Sequence, residues 1–193
     1  MPKPVVIVGA LDTKGPEYQF VRDLIRERGL ETIVVDFGVV GEPSFTPDIS
    51  NDEVARAGGS SIAELREKQD KTFAMRTMAN GLAKVVTDLY EQGRLGGIFA
   101  MAGSGGTSVA TTAMRELPVG VPKLMLSTVA GGDVAAYVGA KDITMMPSIV
   151  DVAGLNSISR QIYANAAGAI AGMVEQEYEA PAEEKPLITA SMF

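Results

Sequence analysis

The chain has 193 residues, 46% of them hydrophobic and 21% charged, with a formal net charge of −7. That balance suits one α/β domain with a full core, and its acidic excess argues against a general nucleic-acid binder, because nothing would neutralise a run of phosphates. The absence of cysteine and histidine excludes disulfides, thiolate or imidazole metal sites, Ser-His-Asp chemistry and a histidine base.

Residues 5–8, Val-Val-Ile-Val, read as a buried parallel strand, with no signal peptide before them. Residues 9–15 read as a polar turn, and 16–28 as a helix with Pro16 in its first turn and Gly29 as its stop. A second buried strand at 32–36 completes a βαβ unit. Residues 37–69 carry Pro43, Pro47, Gly58 and Gly59 and no long periodicity. Short helices are expected near 52–57 and 61–68, inside an excursion that suits a lid, an interface or family-specific decoration. The spacing of Met75, Met78, Leu82, Val85, Val86 and Leu89 predicts a helix over 70–92. Its methionine-bearing stripe reads as core or subunit interface rather than a ligand box.

The remaining chain alternates again. A strand at 98–102, a helix at 107–115, a strand at 122–127, a short helix at 134–138, a strand at 142–146 and a long helix at 156–175 are expected. Residues 180–186 look like a linker, and 187–193 start a strand where the chain stops. The pattern predicts a Rossmann-like α/β domain over 1–179: an open, mostly parallel sheet of about five or six strands with helices on both faces. Residues 180–193 then read as a linker and the start of a second domain, or more simply as a last edge strand. No stretch approaches the roughly 18 apolar residues of a membrane span, so a cytoplasmic protein without membrane partners is expected.

In such sheets ligands sit at the carboxyl ends of the strands, and three loops there are glycine-rich. Gly103, Ser104, Gly105, Gly106 and Thr107 lie between an apolar strand and a helix. Glycines admit close approach of a ligand, and the first free N–H groups of a helix attract anions, so this loop suits phosphate or carboxylate. The bland reading is a tight turn with a hydroxyl cap. Residues 9–15 hold Asp12, which suits a helix cap, and Lys14, which suits a phosphate. Asp36 ends the second strand, where an acidic residue either binds ribose hydroxyls or opens a turn. Ser127, Thr128, Gly131, Gly132 and Asp133 repeat the theme after the fourth strand. Asp133 suits a helix cap, a water-bridged metal or a base. Ser148, Asp151 and Asn156 are turn or cap candidates after the fifth strand.

The set of segments GALDTKG (9–15), GSGGTS (103–108), AMRELPVGVPKLMLSTVAGGDVAAYVG (113–139) and DITMMPSIVDVAGLNSISRQIYANAAGAIAGM (142–173) resembles the N-terminal domain of the UPF0261, or Tm-1-like ATP-binding, family. The resemblance covers most of the chain. It implies a Rossmann-like fold, a nucleotide ligand with ATP favoured, with or without Mg²⁺, and a second domain of similar size beyond the linker. Phosphates would then rest on the N–H groups of Gly105, Gly106 and Thr107. Two other readings stand beside it. One is half of an enzyme for a small phosphorylated or carboxylated metabolite, with Asp12, Lys14 or Asp133 moving protons. The other is an interaction module using 37–69 and 70–92, surfaces on which self-association is expected.

Overall fold

The apolar runs are the strands of one parallel sheet. The computed structural model describes residues 2–178, so the expected linker at 180–186 and the strand-like run at 187–193 lie outside the described residues. In chain order the elements are β1 (Val5–Gly9), α1 (Leu11–Glu27), β2 (Thr32–Asp36), α2 (Asn51–Ala57), α3 (Ile62–Lys68), α4 (Lys71–Glu91), β3 (Gly97–Ala102), α5 (Ser104–Glu116), β4 (Lys123–Ser127), α6 (Ala135–Val138), β5 (Thr144–Pro147) and α7 (Ser157–Glu175). Every neighbouring pair is parallel, and the five strands run in the order β2-β1-β3-β4-β5. This is a doubly wound α/β sheet of flavodoxin-like order, which reverses direction between β1 and β3 and opens a crevice there.

The first four strands are buried along their whole length, which is why they read as unbroken apolar runs. On one face α4 and α5 pack over Val6, Val8, Ile98 and Ala100, with Met78, Leu82, Val86 and Leu89 of α4 in that core. On the other, α1 and α7 pack over Ile7, Phe99 and Leu126 through Tyr18, Val21, Tyr163 and Ile170. The outer edge of β2 is covered by the excursion, since Asp48 and Ile49 both donate backbone N–H groups to the Val34 carbonyl. At the start of β4, fully buried Lys123 donates to the carbonyls of Pro118 (2.7 Å) and Val121 (2.9 Å) and to Asp142 (2.8 Å).

Two expected loops are helical. The stretch 9–15 is no polar turn: α1 begins at Leu11 and breaks at Lys14 (φ −134°, ψ 23°). Pro16 has no N–H and its ring crowds the preceding turn, which forces the break. The glycine stretch is likewise the first turn of α5, which starts at Ser104 rather than Thr107. A first turn has no intrahelical partners for its N–H groups, so glycine is tolerated there.

Tyr18 keeps the crevice open. A Cβ on Gly9 would lie 2.2 Å from the Tyr18 ring, so the ring rests on the bare backbone where β1 ends. Its hydroxyl donates to the Met101 carbonyl (2.5 Å) and accepts from the Met101 N–H (2.9 Å). Those are backbone groups that β1, turning away after Val8, no longer pairs. Asp36, fully buried, sets the other side. Its Oδ1 accepts from the N–H groups of Leu11 (3.0 Å) and Gly38 (2.8 Å), capping α1 from the neighbouring strand. Its Oδ2 has no partner. Burial raises the Asp36 pKa above the ordinary carboxylate range, against the two backbone N–H bonds and Arg66, and with Asp12 adding to the rise.

Tyr18→Phe leaves two buried Met101 backbone groups unpaired and should destabilise the fold by about 2 kcal/mol, read as a lower urea midpoint. Asp36 gives the opposite pH trend to a salt-bridged carboxylate. With its folded pKa raised, its stabilisation is complete below the unfolded pKa and is lost as pH rises through the folded one. Asp36→Asn keeps the accepting oxygen and removes that loss. Its stability relative to the parent should therefore climb from about pH 4 towards neutrality, and parallel urea titrations of the two proteins would contradict this.

Candidate functional site

The crevice holds a cavity of about 920 Å³ at the carboxyl ends of β2, β1 and β3. Four pieces of chain wall it: Ala10 to Lys14 at the start of α1, Phe37 to Val40 after β2, Leu65 to Met78 across the α3–α4 junction, and Met101 to Val109 at the start of α5. Most of the wall is apolar, with Phe37, Leu65, Met75 and Met78 facing the α5 terminus.

The start of α5 is the polar end. Gly103 is its N-cap, in extended conformation with no side chain to cap with, and Thr107 donates the first intrahelical bond, to the Gly103 carbonyl (2.9 Å). The N–H groups of Ser104, Gly105 and Gly106 precede that bond and carry the positive end of the helix dipole. Thr107 N–H is therefore engaged, and Ser104 takes its place among the candidate donors. The other long helices differ. Ser50, Ser61, Asp70 and Asn156 cap α2, α3, α4 and α7 with their own side chains, and Asp36 caps α1. The two central glycines also differ from each other. A Cβ on Gly106 would meet the Ala102 Cβ at 2.6 Å, so Gly106 lets α5 pack on its strand. A Cβ on Gly105 would meet only the tip of Met75, at 3.4 Å.

Asp12 lines the cavity with its side chain turned to the strap that follows β2. Its Oδ2 accepts from the N–H groups of Val40 (2.8 Å) and Gly41 (3.0 Å), while Oδ1 has no partner. Gly38 lies so close that its Cβ would sit 2.5 Å from that Oδ1. From the other side Arg66 donates to the carbonyls of Val39 (2.7 Å) and Gly41 (2.6 Å), cinching the strap to α3. Val40, 85% exposed, stands at the rim. Lys14 also lines the cavity, and its ammonium donates to the Val152 carbonyl of the β5–α7 loop.

Of the predicted residues, then, Asp12, Lys14, Gly103, Ser104, Gly105 and Gly106 come together in one cavity. The others do not line it. Asp36 is sealed beneath, as the cap of α1, instead of facing a ribose. Thr107 and Ser127 are buried and join hydroxyl to hydroxyl (2.6 Å), bracing α5 to β4. Thr128 is exposed, with its N–H on the Ala102 carbonyl (3.2 Å). Gly131 and Gly132 are exposed, and Asp133 accepts from the Ala135 N–H (2.9 Å) as the local cap of α6. The three glycine loops do not form one pocket, because the third opens beyond β4, on the far side of β3 from β1. Among the described residues no group of three or more acidic side chains is placed to hold a metal ion, and no helix is long and apolar enough to cross a membrane.

The methionine stripe packs in the core as expected, and Met75 and Met78 also line the cavity. Residues 37–40 of the excursion wall it too, where sequence reasoning offered a lid, an interface or decoration without joining them to the glycine loops. The available signal was topological, since β2 borders the switch point and whatever follows it must border the crevice.

Residues 3–179 match the family model described as "Uncharacterised protein family (UPF0261) N-terminal domain". The UPF0261 protein of Clostridium tetani (strain Massachusetts / E88) is 51% identical over 193 residues, covering 100% of this chain and 48% of that protein. A UPF0261 protein of Rhizobium meliloti (strain 1021) is 40% identical, covering 99% and 47%. The ToMV resistance protein Tm-1(GCR237) of Solanum lycopersicum is 31% identical, covering 93% and 26%. The chain thus spans about half the length of these bacterial relatives, and it belongs to the UPF0261 family as its N-terminal domain.

Proposed function

We propose that this domain binds a nucleotide, with ATP preferred, in the β1/β3 crevice. One observation carries the reading: the only long helix without a side-chain cap among the described residues, α5, opens into a large apolar-walled cavity. A volume of about 920 Å³ lies within the usual range for small-molecule and cofactor sites, roughly 300–1,000 Å³. The N–H groups of Ser104, Gly105 and Gly106 would take the phosphates, helped by the Ser104 hydroxyl and the charge of Lys14. The nucleoside would lie against Phe37, Leu65 and Met75. Mg²⁺ carried by the nucleotide would screen phosphate charge. The family resemblance supports ATP as the ligand. Both cavity carboxylates already accept backbone N–H groups, Asp12 from the strap and Asp70 from Phe73 of α4. Binding is therefore the activity proposed, ahead of proton chemistry.

Calorimetry with ATP and Mg²⁺ should give saturable heat, and silence at millimolar nucleotide would contradict the reading. Gly105→Val keeps its N–H but stands a branched side chain where the phosphate would approach, and should weaken binding at least about tenfold with little change in urea midpoint. Gly106→Val should do the reverse and damage the fold through Ala102. Inorganic tripolyphosphate, which cannot use the apolar wall, should bind at least about tenfold more weakly than ATP.

A further inference from the structure

The β5–α7 loop, residues 148–156, is pinned to α1 at two points. The Lys14 ammonium donates to the Val152 carbonyl, and one turn further along α1 the Glu17 carboxylate accepts the Gly154 N–H. Between Ser148, whose N–H is held by the Ser127 carbonyl (3.1 Å), and Val152, the loop contains Ile149 at φ 64°. A β-branched residue there is strained and persists only where its surroundings over-determine it. Its side chain is 77% exposed, so packing does not hold it. The Val150 N–H on the Ser148 carbonyl (2.7 Å) and the Ser148 hydroxyl on the Val150 carbonyl (2.6 Å) close a tight turn around it, and the anchors on either side hold that turn against the fold.

Lys14 belongs to two places at once. It lines the crevice cavity while its ammonium serves the loop. It also sits at the break in α1, where its backbone leaves helical geometry. Its present partner is a neutral carbonyl. A phosphate or carboxylate in the crevice would offer an acceptor that carries the opposite charge, which attracts the ammonium more strongly than a carbonyl dipole does. We propose that Lys14 is a two-position tether: in the free protein it pins the β5–α7 loop through Val152, and an anionic ligand in the crevice takes its ammonium and releases that loop. The inference rests on the crevice binding an anion, as proposed above. Occupancy at β1/β3 is thereby reported on the β5–α7 loop, a surface that carries Ile149. The Glu17–Gly154 bond and the Val152 side chain, fully buried in the α1–α7 core, both stay, so the loop loosens locally over 149–153 and does not detach.

Hydrogen exchange of the full chain, read by mass spectrometry, tests this in two arms. Without ligand, Lys14→Met should exchange several-fold faster than the parent over 149–153, while Lys14→Gln, which keeps a donor, stays slow. With saturating ATP and Mg²⁺, the parent loop should accelerate several-fold, Lys14→Gln should respond far less, and Gly105→Val at the same nucleotide concentration should not respond. The tether is overturned if Lys14→Met matches the parent in the ligand-free arm. It is equally overturned if calorimetry shows ATP bound to the parent and the loop does not change. Absence of ATP heat sinks the crevice reading and the ligand half of the switch with it, and the ligand-free arm then still judges whether Lys14 holds the loop.

Discussion

The Tyr18 ring lying on Gly9 is the contact on which the rest of this domain's working edge depends. Two adjacent parallel strands would ordinarily pair to their ends and leave no room between the helices that follow them. Here β1 stops pairing after Val8, and the Tyr18 hydroxyl satisfies both backbone groups of Met101 in place of a strand. That substitution lets β1 and β3 diverge without leaving buried polar groups unpaired, a cost the fold could not otherwise avoid. Asp36 completes the arrangement by holding the first N–H of α1 against the end of β2. The reversal of winding between β1 and β3 opens the crevice, and one tyrosine, one glycine and one buried carboxylate, none of which lines the cavity, satisfy the backbone around it.

Within that frame the polar chemistry is divided with little overlap. Hydroxyls and carboxylates that look available in the sequence are mostly spent on holding backbone: Thr107 and Ser127 on each other, Asp133 on α6, Asp12 on the strap. What is left over is backbone, the first turn of α5. The glycines divide similarly. Gly106 exists for helix–strand contact and Gly38 for the proximity of Asp12, while Gly105 alone of these three faces open space short of a flexible methionine tip. Change in the hydroxyls of an edge built this way costs stability, and the proposed binding makes Gly105 the position where change would cost affinity instead.

The strands were legible in the sequence because burial on both faces demands continuous apolar runs, and the long helix α4 because its stripe has helical spacing. Helix starts were less legible. Ser104-Gly-Gly and Leu11-Asp-Thr have low helix propensity and read as loops, but first-turn residues are chosen for contacts rather than propensity. The site was half legible for a related reason. Residues adjacent in sequence to a strand end, such as Lys14 and Gly105, could be placed at the sheet's edge from the alternation alone. Which strand ends neighbour each other could not, so the third glycine loop was gathered into the pocket and the strap was left out. Side-chain direction was equally hidden: Asp36 and Ser127 occupy positions that favour ligands in other sheets of this kind, and here both point into protein. Lys123, a charge inside a buried strand, carries no pattern at all until the carbonyls of Pro118 and Val121 are seen to surround it.

The anion binding proposed for the crevice of an acidic protein needs an electrostatic account. A net charge of −7 repels anions at long range, but at physiological salt that field is screened within about 8 Å. Inside the crevice the local terms decide. The α5 terminus contributes roughly half a positive charge, and Lys14, Arg66 and Lys71 stand in the same wall against Asp12 and Asp70. Both of those carboxylates accept backbone N–H groups, which draws part of their charge away from the cavity. Arg66 is engaged by strap carbonyls and Glu42, and Lys14 by Val152. Of these positive sources, Lys14 and Arg66 must leave a present partner to meet a ligand, whereas the α5 terminus and Lys71 need not. Selectivity for an anion joined to an apolar body follows: the terminus fixes where the charge sits, and the strap and α4 fix what can be attached to it.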